Sequence, residues 1–493
     1  MRVTQSWSSS TAAIKILGAA LVLALAGGAV SAAYPLVGIV AVAAVVIVLA
    51  GMLVVPRLGA AAVARTSTLP TEFYRQVPVA LMFASLVQIF YKSATSSSVG
   101  LAGIYEFALE GIAAGVVLLG VQSGKLRLAL PGPAAAWALV GVFAMASAAW
   151  APSTTLTLLK GGQLLVVGIV VPLLSVNFPD RDAAGRFLGR FGAALLAGLA
   201  VVQAATSGPG SLWHTYELGN PMYVDGRVRL SLEQIYPLTL GVLTGGLVML
   251  LLVSHPRRLD WLAIGFLAVV QYLTFSRGPS AILVAMIGLY VLFRLLGRLA
   301  GSTLGGLVSG LSLAGVVAVG ILALTNSPAL LGQLGHVVPS DLGSLNGRLP
   351  LWQDTMGQIL KAAQTPAGVF LGHGFASFRF YGLNVFSYAG ETHNAPLQVA
   401  YELGLLGFTL WLGAVVACAV QVWNSRAGLV NNLIRLLPIV YLLLVEMTDS
   451  ALADSRSFVL LILLFYAWRF RDGLPRRVEE PAGVALAEPL GVL

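Results

Sequence analysis

The chain has 493 residues, of which 58% are hydrophobic and 10% charged, with a mean hydropathy of +0.88 and a net charge of +9. Soluble domains carry about a quarter charged residues, so this composition excludes a water-soluble globule and makes lipid the solvent for most of the chain. The single cysteine, Cys418, excludes an intramolecular disulfide, and the basic excess is read as charge flanking membrane spans, not as a nucleic-acid surface.

A helix needs about 20 mostly apolar residues to cross a bilayer. In chain order this criterion predicts fourteen spans, at 13–31, 34–55, 77–91, 100–120, 132–150, 156–176, 186–206, 234–254, 260–275, 279–297, 304–324, 396–420, 431–448 and 456–470. Those at 77–91, 260–275 and 456–470 are short, so the fold class is an all-α polytopic membrane protein with about 12–14 transmembrane helices. Residues 14–30 are read as the first span, since no small-residue cleavage site there leads into a soluble domain. The 55 glycines suit helices that approach closely through small residues.

The chain divides into N-terminal transmembrane helices (1–206), helices with a first outer loop (207–324), a large outer loop (325–395), C-terminal helices (396–470) and a tail (471–493) read as disordered. Alternating the spans from a cytoplasmic N-terminus puts twenty of the 29 basic residues in inner segments and eight in outer ones. That imbalance sets the orientation by the positive-inside rule. The large loop is too long for a simple connector. It contains an expected amphipathic helix from Leu349 to Ala363 and the aromatics Trp352, Phe370, Phe375, Phe378, Phe380, Tyr381, Phe386 and Tyr388, which suit either the membrane interface or a sugar site.

Few groups in so apolar a chain can move a proton. His393 stands out among five histidines, in the run Glu391-Thr392-His393-Asn394-Ala395-Pro396 at the junction of the polar loop and an apolar helix. It is read either as a general base or as a polar cap of the following helix. Glu391 is placed to tune the imidazole, and Asn394 to fix its tautomer or bind a sugar hydroxyl. His214, His336 and His373 lack such context and are expected to be solvated; His255, beside Arg257 and Arg258, is expected at lipid headgroups.

Outer basic residues are disfavoured, yet several gather near this segment. Arg229 follows the first outer loop and competes with Arg227 for one role, Arg277 lies in the hinge Thr274-Phe275-Ser276-Arg277-Gly278, and Arg348 lies in Asn346-Gly347-Arg348. A guanidinium fork suits phosphate oxygens. Three arginines and a histidine at one membrane face describe a site for a lipid-linked phosphate or diphosphate with a general base. Snorkelling to headgroups is the competing account of Arg277, and solvation that of Arg348. Lys160 is expected to snorkel or to touch the diphosphate. Glu106 and Glu110 share a helix face, to pair with a cation, line a hydrated cavity or bind protons; Asp449 and Asp454 are expected as solvated residues or caps. No outer Asp-x-Asp, no His-x-x-x-His and no cysteine set occurs, so no metal and no other cofactor is expected.

The strings Ser344-Leu345-Asn346-Gly347-Arg348 with Trp352, Leu371-Gly372-His373-Gly374-Phe375 with Phe378, Thr392-His393-Asn394, and Glu402-Leu403-Gly404-Leu405-Leu406-Gly407 resemble the bacterial O-antigen ligase and polymerase superfamily, as does the Ser276-Arg277-Gly278 hinge. The resemblance covers roughly residues 200–420. It implies a metal-independent inverting glycosyltransferase of GT-C type in the bacterial inner membrane, with both termini cytoplasmic and the site on the outer face. The donor it implies is an undecaprenyl-diphosphate-linked glycan, and the acceptor a glycolipid or glycan. His393 would then be the base, and Arg229, Arg277 and Arg348 would hold the diphosphate. A ligase using a lipid A-core acceptor is preferred over a polymerase. From other classes, a proton-coupled transporter, a lipid flippase and an assembly scaffold remain as competing readings.

Overall fold

The computed structural model describes residues 70–88, 101–126, 132–175, 177–178, 180–215, 228–232, 237–274, 276–299, 348–386, 390–424 and 428–447. The spans expected at 13–31, 34–55, 304–324 and 456–470, the tail, Arg227, His336, Tyr388, Asp449 and Asp454 lie outside these residues.

Helices stand where hydropathy predicts spans: α1 (Thr71–Gln88), α2 (Leu101–Gln122), α3 (Gly132–Ala146), α4 (Thr154–Ser175), α5 (Arg181–Ser207), α6 (Pro237–Val253), α7 (Arg258–Leu273) and α8 (Arg277–Leu299). The large loop carries α9 (Arg348–Ala362), α10 (Pro366–Leu371) and α11 (Phe378–Phe386), before α12 (Ala395–Trp423) and α13 (Leu429–Glu446). The expected amphipathic helix is α9. Five of these helices are long and apolar enough to cross a membrane, namely α4, α5, α8, α12 and α13. The 16 residues of α7 span only about 24 Å at 1.5 Å per residue. Between α5 and α6 a short antiparallel hairpin pairs β1 (Trp213–Thr215) with β2 (Val228–Leu230), setting His214 opposite Arg229.

Burial separates the helices into two kinds. The whole span window of α4 is buried inside the protein, as is nearly all of α6; both are apolar on every side, as a central helix must be. The outer helices instead expose apolar stripes, Val284, Val291 and Leu295 on α8, and Leu405, Leu412, Val416 and Val420 on α12. Water would penalise such stripes, whereas hydrocarbon accepts them, because a helix satisfies its own backbone polar groups.

Glycines let neighbouring helices touch. A methyl at Gly141 in α3 would lie 2.8 Å from the Leu165 backbone in α4, and one at Gly161 would lie 2.8 Å from the Met145 backbone. The small-residue packing expected from composition is therefore located at the α3–α4 crossing.

The two ends of the bundle differ. At one end Arg186 donates to the Ser254 carbonyl at 2.7 Å, Arg190 pairs with the buried Asp260, and Asp260 also accepts the Arg257 N–H. His255 accepts from Arg294 at 3.1 Å and lies 3.8 Å from Asp182. This histidine contacts protein side chains while remaining exposed. The opposite end carries the large-loop helices and the start of α12.

Candidate active site

The site is built on the first turns of α12. Asn394 caps this helix, its side-chain oxygen accepting the Leu397 N–H at 3.1 Å, and Pro396 supplies the fixed φ suited to a first turn. Thr392 is fully buried; its hydroxyl donates to the Asn394 carbonyl at 2.7 Å and accepts the Asn394 N–H at 3.1 Å. The residue between them, His393, is half-buried and sits in the left-handed region at φ 53°. Non-glycine residues occupy that region only where surrounding bonds impose it, and the Thr392–Asn394 clasp does so here. The helix cap is therefore Asn394, not His393, and the Asn394 oxygen is committed to the helix and not to the imidazole.

Two turns further on, the buried Glu402 holds the loop in place. Its carboxylate accepts the Ala376 N–H at 3.0 Å, the Phe378 N–H at 3.3 Å and the Gln398 amide at 3.2 Å. Gln398 in turn accepts the Thr392 N–H at 3.3 Å. The run from α10 to α11 is thereby fastened to the same helix that presents His393. Sequence reasoning used Glu402 only as part of a motif and missed this role; its place two turns past the cap, in an apolar helix, was the available signal.

The predicted arginines fall at the same end. Trp352, one turn after Arg348 on the same face of α9, donates to the Thr392 carbonyl at 2.8 Å, which brings the start of α9 to the His393 segment. Tyr441, near the end of α13, donates to the Gly241 and Val242 carbonyls of α6 at 3.4 Å each. Because α13 returns beside α12, the beginnings of α6 and α12 share one end. Ser276 donates to the Pro237 carbonyl at 2.8 Å, placing Arg277, the first residue of α8, at that end too. Arg229 lies half-buried in β2, which rests against α7. Glu391 is half-buried beside His393.

A cavity of about 430 Å³ opens next to this cluster, between the α3–α4 turn, the α10–α11 segment and α12, lined by Trp150, His373, Ser377, Phe380, Tyr381 and Tyr401 among others. His373, expected to be solvated, is instead stacked on Tyr401 with ring centroids 4.2 Å apart and 9° between planes. Its Nδ1 lies 3.0 Å from the Tyr401 carbonyl, and its main-chain N–H donates to the same oxygen at 3.1 Å. Tyr381 pairs with Asp354 and accepts from Gln358 at 2.9 Å; burial first, and then the Asp354 carboxylate, push its phenol up to about 12.

Other expectations change. Lys160 is only 4% exposed, so it is packed within the bundle and does not snorkel. Glu110 is buried in α2, while the Glu106 side chain lies outside the described ones. Of the loop aromatics, Phe375 and Phe378 are buried in protein and so do not lie on a membrane interface, Phe380 and Tyr381 line the cavity, and Phe370 is exposed.

A bundle of apolar helices with lipid-compatible outer stripes defines an all-α polytopic membrane protein. Residues 262–412 match the model of a family described as O-antigen ligase, which supports a place for the chain in the O-antigen ligase and polymerase superfamily. The matched stretch runs from α7 through the Ser276-Arg277 hinge, α9, the His393 segment and the kink of α12. It supports an activity of glycosyltransferase type. No curated protein and no solved structure matches the chain.

Proposed function

We propose that this protein is an inverting, metal-independent glycosyltransferase of GT-C type that moves a glycan from an undecaprenyl-diphosphate carrier to an acceptor hydroxyl. The acceptor proposed is a sugar of a lipid A-core glycolipid, which makes the protein an O-antigen ligase. The observation that carries the reading is the bonded frame around His393: a half-buried imidazole in a left-handed conformation, clasped by Thr392 and Asn394, with the Arg348 helix tied to it by Trp352.

In this reading His393 removes the proton of the acceptor hydroxyl as that oxygen attacks the anomeric carbon. A new carbon–oxygen bond forms while the bond from the anomeric carbon to the diphosphate breaks, and the diphosphate leaves from the opposite face with inversion. Arg229, Arg277 and Arg348 receive the growing negative charge, with Arg227 and Lys160 in support, and Glu391 tunes the imidazole. Preorganised charge of this kind is worth about 10²–10³ in rate per group removed, and a positioned base about 10²–10⁴. Asn394 supports His393 by shaping its backbone.

The site is assigned to the outer face of the inner membrane, with both termini cytoplasmic. Arg186, Arg190, Arg257, Arg258 and Arg294 belong to the helix ends and turns remote from α9–α11, as the positive-inside rule asks of a cytoplasmic side. A polymerase uses the same donor chemistry and differs only in acceptor.

The test is a transfer assay with the purified full-length protein. Polyprenyl-diphosphate glycan is supplied alone and then with a lipid A-core acceptor. Transfer only with the acceptor supports the ligase, and lengthening of the donor glycan without it supports the polymerase. His393→Ala is expected to lower transfer at least 100-fold; a rate near wild type removes His393 as the base.

A further inference from the structure

The cavity between the α3–α4 turn and α12 has a lining unlike that of a diphosphate site: among the described residues no Lys, Arg, Asp or Glu faces it. Its walls include the aromatics Trp150, Phe380, Tyr381 and Tyr401 and two polar groups, His373 and Ser377, and the rest of the described lining is small or apolar. We propose that this cavity is a binding subsite for an uncharged pyranose ring of the glycan, held beside the reacting sugar. The proposal rests on the glycosyl-transfer reading for its substrate class, but on separate residues.

Three observations carry it. First, Ser377 lines the cavity and is 2% exposed, and its hydroxyl oxygen has no hydrogen-bond partner among the described residues. A buried hydroxyl without a partner is destabilising, and a sugar hydroxyl in the cavity supplies one. Second, a carbonyl oxygen only accepts, so the 3.0 Å contact to the Tyr401 carbonyl makes His373 Nδ1 the donor. In the neutral ring Nε2 then keeps its lone pair and accepts from a sugar hydroxyl. Stacking on Tyr401 holds the ring orientation. Third, the half-buried Phe380 and Tyr381 rings and the Trp150 indole provide flat apolar surface at the cavity for the C–H side of a pyranose, at modest entropic cost. The volume of about 430 Å³ falls within the about 300–1,000 Å³ of small-molecule pockets.

Placement separates this subsite from the reacting centre. Tyr401 lies six positions beyond Ala395 in α12, about 9 Å along the helix axis, whereas His393 precedes the helix. A ring in the cavity is therefore a neighbour of the sugar whose bond is made or broken. Such contacts select the glycan and lower KM, because they act equally in ground and transition states.

The ring comes either from the donor glycan or from the acceptor glycan, and the experiment separates the two. Full-length protein in detergent is assayed with each substrate varied at saturating levels of the other, using wild type, Ser377→Ala and the cavity-filling Ser377→Leu. Ser377→Ala is expected to raise one KM about tenfold, the fold-change of one lost hydrogen bond, with kcat close to wild type; Ser377→Leu raises the same KM further. The KM that moves names the source of the ring. In parallel, saturation-transfer NMR with methyl glycosides of glucose, galactose, mannose and N-acetylglucosamine is expected to show contact in wild type and its loss in Ser377→Leu. If transfer occurs and neither KM nor saturation changes in the folded variants, the subsite is wrong while the transfer reading stands. If wild type transfers nothing yet the glycoside signal depends on Ser377, the transfer reading falls and the subsite stands. Absence of a Ser377-dependent glycoside signal together with unchanged KM values overturns the proposal.

Discussion

Trp352 donates its indole N–H to the main-chain carbonyl of Thr392 at 2.8 Å, joining residues 40 positions apart and tying the first turn of α9 to the residue before His393. The bond turns a loop helix into part of the frame that fixes the candidate base. Trp352→Phe keeps most of the packing and removes only the donor. It is expected to cost about 0.5–1.5 kcal/mol of stability and to lower kcat more than it raises KM. Thermal unfolding in detergent and steady-state transfer measure the two effects; an unchanged kcat would show that α9 does not position the base.

Glu402 is expected to matter through its two carboxylate oxygens, which between them accept three N–H groups. Glu402→Gln replaces one acceptor oxygen by an N–H donor facing donors, so about 1–3 kcal/mol is lost. Glu402→Leu leaves all three donors bare and costs more. Hydrogen exchange of the Ala376 and Phe378 amides, followed by mass spectrometry, is expected to quicken in both variants before any global unfolding.

Gly372 and Gly404 cross backbone to backbone, at φ 65° and 63°, and a methyl on Gly372 would come within 2.5 Å of the Gly404 nitrogen. Gly404 is also where α12 kinks, with ψ −165°. Alanine at either position meets both the penalty of a backbone region open essentially to glycine alone, about 1–3 kcal/mol, and an overpacking cost of about 1–3 kcal/mol. A drop in melting temperature is expected for each single variant. The pair is expected to be non-additive, since the two residues share one contact.

Tyr381 offers a pH signature. Its folded value is pushed up to about 12 from an ordinary value of about 10, by burial and by Asp354. The stability contributed by the neutral phenol is therefore fully present below about pH 10 and is lost as pH rises through about 12. Ultraviolet difference titration of wild type against Tyr381→Phe is expected to show one tyrosine ionising near pH 12, and Asp354→Asn to bring it lower. Ionisation of that tyrosine near pH 10 in wild type would break the assignment.

Much of the fold was legible from hydropathy. The expected spans at 156–176 and 186–206 lie on α4 and α5 with boundaries a few residues apart, and the 349–363 amphipathic segment is α9. His393, Arg348 and Arg277 were found by their contrast with apolar surroundings, and the structure puts them at one end of the bundle. The role of Glu402, the tethered ring of His373 and the burial of Lys160 were not legible. Glu402 bonds to residues 24 and 26 positions away, and His373 to one 28 positions away, and no local pattern encodes such pairings. Asn394 shows the intermediate case: its position before Ala395-Pro396 reads as a helix cap by local rules, yet the polar motif around it drew attention to the imidazole.

The sequence by itself determined the solvent, the helices and their ends, because a backbone in hydrocarbon has to satisfy its polar groups within each helix and so writes every span as a local run of apolar residues. Only the tertiary structure decided which polar side chains face one another at the mouth of the bundle. That choice depends on glycine-mediated helix approach, on a kink at Gly404 and on single hydrogen bonds between distant segments. Each of these is worth about one to a few kilocalories against the apolar burial that builds the bundle, and each is made between distant segments, so it leaves no periodic trace in the chain.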